Sequence, residues 1–399
     1  MARKSTKIER PKSSEDALEL LRKTYGKNSF AKGSEIDTRV DFIETSFFQL
    51  NMALSGGIPR GRIGVVWGAK SSGKTVLSLD TIANAQKTCR ICGLKLDKCQ
   101  CKNQIPMKCV FFDMERTFSP SFAELWGVNT EDLIVFEPEY SEQMLDSVSL
   151  LVSSKDIDLV VIDSIAQTIA KLDMESSCED NTVALDTKLL GKGLKKWNAT
   201  YHNIKTSSKD AKTSILLLNQ ARANLAPYGG KVKMFGGYNL GHTNTFVVKL
   251  AKIEDFMYSD FLTMGQKTKF LIEKNKQGVA RRAGEFDLYF VNDPTGKYKA
   301  GTTDTVNQIL TYAANWGLVS VARKVYSFLG NEIHEKDLPS FFAAKPEELE
   351  RIKQRVLEQE ELFRQGILIP KEGMVMEEDD LDKDVAPIND LEFLSDDDM

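Results

Sequence analysis

The stretch "RIGVVWGAKSSGKTVLSLDTIANAQ", residues 62–86, restricts the possible folds more than any other part of the chain. An apolar run that reads as a strand passes through G-x-x-x-x-G-K-T into a helical pattern, which is the context that gives the motif its physical meaning. Glycines let backbone N–H groups turn inward at a helix N-terminus, where they cradle phosphate oxygens. The loop Gly68, Ala69, Lys70, Ser71, Ser72, Gly73, Lys74, Thr75 therefore predicts a nucleoside triphosphate site. Lys74 would reach the β- and γ-phosphates and Thr75 would place its hydroxyl on Mg²⁺.

Apolar runs at 108–113, 132–137, 158–163 and 214–219 alternate with helical stretches such as 75–86 and 141–154. Continuous apolar strands between helices predict an α/β fold with a mostly parallel central sheet covered on both faces. Runs at 246–253, 267–275 and 285–290 follow at shorter spacing and predict extra antiparallel strands at the sheet edge. Ahead of the sheet, "SSEDALELLRKTYG" predicts an N-terminal helix capped by Ser13 or Ser14 and ended by Gly26. So short a helix is marginal alone, so it must pack on its own body or on a neighbouring subunit. From about residue 301 two helical segments predict a small C-terminal domain, ahead of an acidic tail. The expected divisions are 1–45, 46–300, 301–370 and 371–399.

Charge is unevenly distributed. Residues 377–398 hold eleven acids and one base, Lys383, so that segment carries −10 and the remainder +6. A mildly basic body with an acidic tail suits a polyanion-binding protein whose tail competes for its own surface; a merely solubilising tail is the plainer alternative. No run approaches the ~18 apolar residues of a membrane span, and the N-terminus lacks a signal-peptide core, so a cytoplasmic location is expected.

Three strand ends carry polar residues where ligands of such sheets bind. "LVVIDS" supplies Asp163 for the outer shell of a metal, or simply a turn aspartate. "VFFDMER" supplies Asp113 and Glu115, either of which can orient and deprotonate a water. "LLLNQAR" supplies Asn219 and Gln220, amides able to sense a γ-phosphate or to stay satisfied within the strand end.

"LRKTYGKNS", "ALSGGIPRGRI", "GAKSSGKT", "VFFDMERTFSPSFAELWGV", "LVVIDS", "LLLNQAR", "GGYNL" and "EKNK" occur in an order and spacing that resembles the bacterial RecA recombinases, with the phage UvsX type the nearer branch. The resemblance spans roughly residues 15 to 320. It implies a RecA-like P-loop NTPase core that binds ATP and Mg²⁺, forms homo-oligomeric filaments on single-stranded DNA, and promotes pairing and strand exchange with double-stranded DNA. It also implies that Glu115 is the catalytic base, that Phe122 packs near the adenine, and that Gln220 is a switch between γ-phosphate and DNA. Arg222, Leu225, Gly236 and Gly237 would belong to one DNA-binding loop. Lys188, Gly191 and Lys195, at i, i+3 and i+7, would lie on one helical face in another. Lys274 and Lys276 would act in trans on the neighbour's nucleotide. The acidic tail is a docking candidate for a single-strand-binding or mediator protein. Two rivals are a RecA-fold DNA motor, helicase or branch-migration ATPase, and a non-catalytic mediator paralogue. The N-terminal helix argues against the first, and intact Lys74, Thr75, Glu115 and Asp163 against the second.

Cys89, Cys92, Cys99 and Cys101 form C-x₂-C-x₆-C-x-C, inserted between the phosphate-loop helix and the strand that leads to Glu115. Four thiolates suit a closed structural Zn²⁺ site; a redox pair or unliganded thiols are the alternatives. Because the insertion precedes a strand, it is expected away from the chemistry, in a structural or docking role.

Overall fold

The computed structural model describes residues 11–26, 40–176, 185–207, 212–222, 233–294, 296 and 298–368. Leu225, Cys178 and the acidic tail lie outside the described residues. In chain order, helix α1 (Ser14–Tyr25) precedes strand β1 (Phe42–Ile43), helix α2 (Phe48–Ala53) and strands β2 (Ile58–Pro59) and β3 (Ile63–Gly68). Helix α3 (Lys74–Gln86), strand β4 (Cys109–Asp113), helix α4 (Pro120–Leu125), strand β5 (Leu133–Phe136), helix α5 (Ser141–Ser154) and strand β6 (Leu159–Asp163) follow. Next come helices α6 (Lys171–Glu175) and α7 (Leu185–Ser207), strands β7 (Ser214–Arg222) and β8 (Lys233–Met234), and helix α8 (Gly237–Thr243). The core ends with strands β9 (Phe246–Ser259), β10 (Leu262–Asn275) and β11 (Ala283–Tyr289). Beyond it lie α9 (Thr305–Asn315), β12 (Ser320–Ala322), β13 (Val325–Phe328), β14 (Asn331–His334), α10 (Leu338–Ala344) and α11 (Pro346–Arg364).

A nine-stranded sheet runs β11-β10-β9-β3-β7-β6-β4-β5, with β8 paired to β7. The pairs from β9 through β5 are parallel, whereas β9–β10 and β10–β11 are antiparallel. The three late strands are thus only partly the expected antiparallel addition, because β9 still continues the parallel sheet. Alternate residues of β3 feed opposite cores: Val66 packs with Leu77 and Phe111 on one face, and Val65 and Trp67 with Met144, Leu194 and Trp197 on the other. Both faces are covered, which is why the strands read as unbroken apolar runs.

The C-terminal helices have an addition that the sequence did not reveal, the antiparallel sheet β12-β13-β14. Their apolar cluster includes Phe48 and Met52 of α2, a helix whose six residues are all buried. A buried ion pair crosses the same boundary. Arg282 holds Glu360 with two bonds of 2.9 and 2.6 Å, donates to the Met52 carbonyl at 3.0 Å, and meets the Tyr312 hydroxyl. Removing one partner strands a buried charge. Glu360→Ala is expected to cost about 3–5 kcal/mol in urea unfolding, and Arg282→Met with Glu360→Leu to recover most of it.

Asp80 of α3 is buried and accepts the Ser46 N–H at 2.8 Å and the Asn84 amide at 3.1 Å. Burial pushes its carboxyl up to about 6, opposed by the Ser46 bonds and by Lys95 and Lys87. The folded chain therefore holds a proton between pH 4 and 6 that the unfolded chain has released, and stability falls as pH rises through that window. An asparagine keeps the shape without the charge. Asp80→Asn should gain about 1–3 kcal/mol at pH 7.5 and nothing near pH 4, read from urea curves at both pH values.

Candidate active site

The phosphate loop leaves β3 at Gly68 and enters α3 through Gly73, which has φ 90° and ψ 10°. That left-handed conformation suits glycine, and a Cβ on Gly68 would lie 2.2 Å from the Leu250 carbonyl. Lys74 is buried and donates to the carbonyls of Ala69 at 2.7 Å and Gly68 at 3.1 Å. Burial draws its ammonium below the usual range, with Asp163 and Glu115 opposing. The loop borders a cleft of about 480 Å³ lined by Ser71, Thr75, Phe122, Lys252, Gln266 and Phe290 among others. Gln266 braces the loop by donating to the Ser71 carbonyl at 3.1 Å. Phe122 packs on the core and lines this cleft.

Sheet register gathers the remaining groups. Gly68 lies beside Gln220 across β3–β7, and Asp113 beside Asp163 across β4–β6. Thr75 Oγ1 donates to Asp163 Oδ2 at 2.7 Å. Burial pushes Asp163 up to about 6, with the Thr75 bond opposing and Glu115 adding to the rise. Asp113 is fully buried and accepts the Phe118 N–H at 2.7 Å, so it is occupied in shaping its own turn. Glu115 is half-buried, and its Oε1 accepts both the Ser164 hydroxyl at 2.6 Å and the Gln220 amide at 2.7 Å. Asn219 donates to the Phe235 carbonyl at 2.7 Å and so ties β7 to the chain that returns from the following loop.

The two loops implied by the resemblance are only partly described. Arg222 ends β7, where it pairs with Lys233 of β8; Gly236, with φ 97°, precedes α8, and Gly237 opens it. On α7, Lys188 and Lys195 are exposed but Gly191 is buried. Lys188 and Lys195 therefore share an exposed side of the helix, while Gly191, close to them on the helix surface, is covered. Lys274 donates to the carbonyls of Gly241 at 2.6 Å and His242 at 3.0 Å, and Lys276 to His242 at 3.4 Å. Within one chain both lysines sit on the C-terminal end of α8, where the helix dipole favours cations.

The four cysteine sulfurs lie within 4.8 Å of one another, and Cys92 and Cys99 are 3.5 Å apart. A tetrahedral zinc with Zn–S bonds of ~2.3 Å needs S···S separations of about 3.8 Å, so the set fits that ion. Gly93, at φ 76°, donates to the Cys89 carbonyl at 2.8 Å and closes the first turn. The insertion is bound to the amino-terminal end of the sheet. Arg90 contacts Asp156 at 2.7 Å and Asp158 at 3.2 Å, and Arg60 bonds both Asp158 at 2.6 Å and the Arg90 carbonyl at 3.1 Å.

Sequence reading missed Ser164, Gln266, Lys252 and Phe290. Ser164 was legible as the neighbour of Asp163; Lys252 of β9, Gln266 of β10 and Phe290, just after β11, are brought to the loop by strand pairing from far along the chain.

A mostly parallel sheet with a phosphate loop after β3 and carboxylates at the ends of β4 and β6 defines a P-loop nucleotide-binding fold. The chain belongs to the RecA family: residues 12–293 match the RecA N-terminal domain. It is 28% identical over 352 residues to the protein named RecA of Thermus aquaticus, covering 87% of this chain and 94% of that one. To the RecA of Saccharopolyspora erythraea it is 27% identical over 352 residues, covering 87% and 92%. To that of Sulfurovum sp. strain NBC37-1 it is 32% identical over 286 residues, covering 71% and 75%. Among the described residues, no helix is long and apolar enough to cross a membrane.

Proposed function

We propose that this chain is a DNA-dependent ATPase that assembles on single-stranded DNA and carries out homologous pairing and strand exchange in the cytoplasm. The observation that carries this reading is the 2.7 Å bond from Gln220 to Glu115. It joins the first residues of a candidate DNA loop to a carboxylate beside the phosphate loop. Glu115 Oε1 is held by Gln220 and Ser164, so the carboxylate is fixed in orientation and its other oxygen can take a proton from the attacking water. Lys74 and the loop amides hold the β- and γ-phosphates, and Thr75, itself oriented by Asp163, reaches toward the metal position. Thr75 and Asp163 would hold Mg²⁺ there, which would neutralise phosphate charge. A γ-phosphate that engages Gln220 alters the support of the 223–232 segment, and DNA bound to that segment alters the support of Glu115. Lys274 and Lys276 complete the site from a neighbouring subunit, and the cysteine module holds one structural Zn²⁺.

The test is ATP turnover with and without single-stranded DNA, with the same samples imaged by electron microscopy. Stimulated turnover together with filaments is expected. A protein that stays monomeric with oligonucleotide and a non-hydrolysable analogue at saturation rules the proposal out.

A further inference from the structure

The cysteine module presents a surface that neither nucleotide chemistry nor metal binding uses. Ile91, Leu94 and Ile105 are 60%, 51% and 38% exposed. Backbone bonds from Cys89 to the Leu94 carbonyl, 2.8 Å, and from Arg90 to the Ile105 carbonyl, 2.9 Å, hold the three in one small sheet-like turn. The Arg90 and Arg60 contacts fix that turn to the core, so the patch is rigid. Lys98 and Lys102 beside it are exposed and form no ion pair among the described residues. Lys95 is different: it turns inward, onto Asn84 at 2.8 Å.

We propose that this face docks the chain's own C-terminal segment, residues 388–399. Three observations select that occupant. The segment "INDLEFLSDDDM" sets Ile388, Leu391, Phe393 and Leu394 among five acids, the complement of three aliphatic side chains flanked by two lysines. Nineteen residues, 369–387, join it to the end of α11 and the short turn after it. Fully extended they reach about 65 Å, enough to cross a body whose radius of gyration is about 20 Å. Finally, residues 88–102 contain no aromatic, so the face lacks the stacking groups with which proteins hold single-stranded nucleic acid. The module leads into the amino end of β4, whereas the site residues lie at the carboxyl ends. A docked segment therefore keeps its five acids at the opposite end of the strands from the phosphate loop. This inference does not depend on the recombinase reading.

The test uses the full-length protein and a carbodiimide, which joins lysine amines directly to carboxylates, with the linked peptides identified by mass spectrometry. Lys98 and Lys102 should link to Asp390–Asp398 about tenfold more than exposed Lys336 does, because docking raises their effective concentration. Leu94→Glu with Ile105→Glu should lower those links about tenfold while zinc content stays at one per chain, since neither residue is a ligand. Lys98→Glu with Lys102→Glu, which leaves the apolar face intact, should move the tail's remaining links away from the module. Three results overturn the proposal: Lys98 and Lys102 linking no better than Lys336, links indifferent to Leu94→Glu with Ile105→Glu, or links joining the patch to the body of a second copy instead.

Discussion

Glu115→Gln should lower ATP turnover by about 10²–10⁴-fold while ATP-dependent binding to single-stranded DNA survives. The substitution removes the proposed proton acceptor and almost nothing else. A glutamine of the same length can still accept from Ser164 and Gln220 through its amide oxygen, so the link from nucleotide to loop stays closed. Lys74 and Thr75, the proposed nucleotide contacts, bond to Ala69 and Asp163 rather than to Glu115, so the substitution leaves them in place. Asp113→Asn is the informative control. Asp113 accepts the Phe118 N–H from within the core, so its loss should appear as reduced stability at near-normal turnover per folded molecule. Single-turnover hydrolysis alongside filter binding separates the cases. Equal turnover in Glu115→Gln and the parent would place the base elsewhere, and loss of DNA binding in parallel with turnover would mean that the carboxylate's charge, not its proton transfer, supports the loop.

The contrast between Asp113 and Glu115 shows how far the sequence could be read. Both lie at a strand end, two residues apart, and their chemistry is the same. The resemblance favours Glu115, and the fold adds a physical difference: it turns Asp113 inward onto Phe118 and leaves Glu115 between Ser164 and Gln220. The parallel sheet was legible because each central strand is buried on both faces and so is apolar without alternation, as "LVVID" and "CVFFD" are. Strands β12–β14 carry no such signal. They are three or four residues long and mostly exposed or half-buried, which leaves no pattern for periodicity to detect. Gly191, implied by the resemblance as a backbone contact, is buried, and a glycine has no side chain from which the sequence could have indicated its exposure. The cysteine spacing carried over well, because ligand geometry depends on short local turns that a C-x₂-C-G sequence largely dictates.

Deleting residues 1–26 should abolish filaments without lowering the melting temperature. Helix α1 is well formed: Ser13 and Asp16 exchange two 3.1 Å bonds as a capping box, and Lys23 pairs with Glu19 at 2.8 Å. Yet it contains no buried residue, and Leu18, Leu20 and Tyr25 are 42%, 36% and 70% exposed. A twelve-residue helix is not stable in water by itself, and an amphipathic face left uncovered by its own body calls for a surface on another copy. Since α1 contributes nothing to the core, its loss leaves unfolding unchanged. The deleted protein should sediment as a monomer with ATP analogue and oligonucleotide present, where the parent is expected to form filaments. Its turnover should also fall at least about 100-fold if Lys274 and Lys276 act, as proposed, on the phosphate held by an adjacent subunit. In a lone chain both remain bound to the carbonyls that end α8. Leu18→Asp with Leu21→Asp should reproduce the result in a full-length chain, which excludes a simple effect of truncation. Intact filaments from either variant would show that α1 is not the contact, and full turnover from a monomer would remove the lysines from the site.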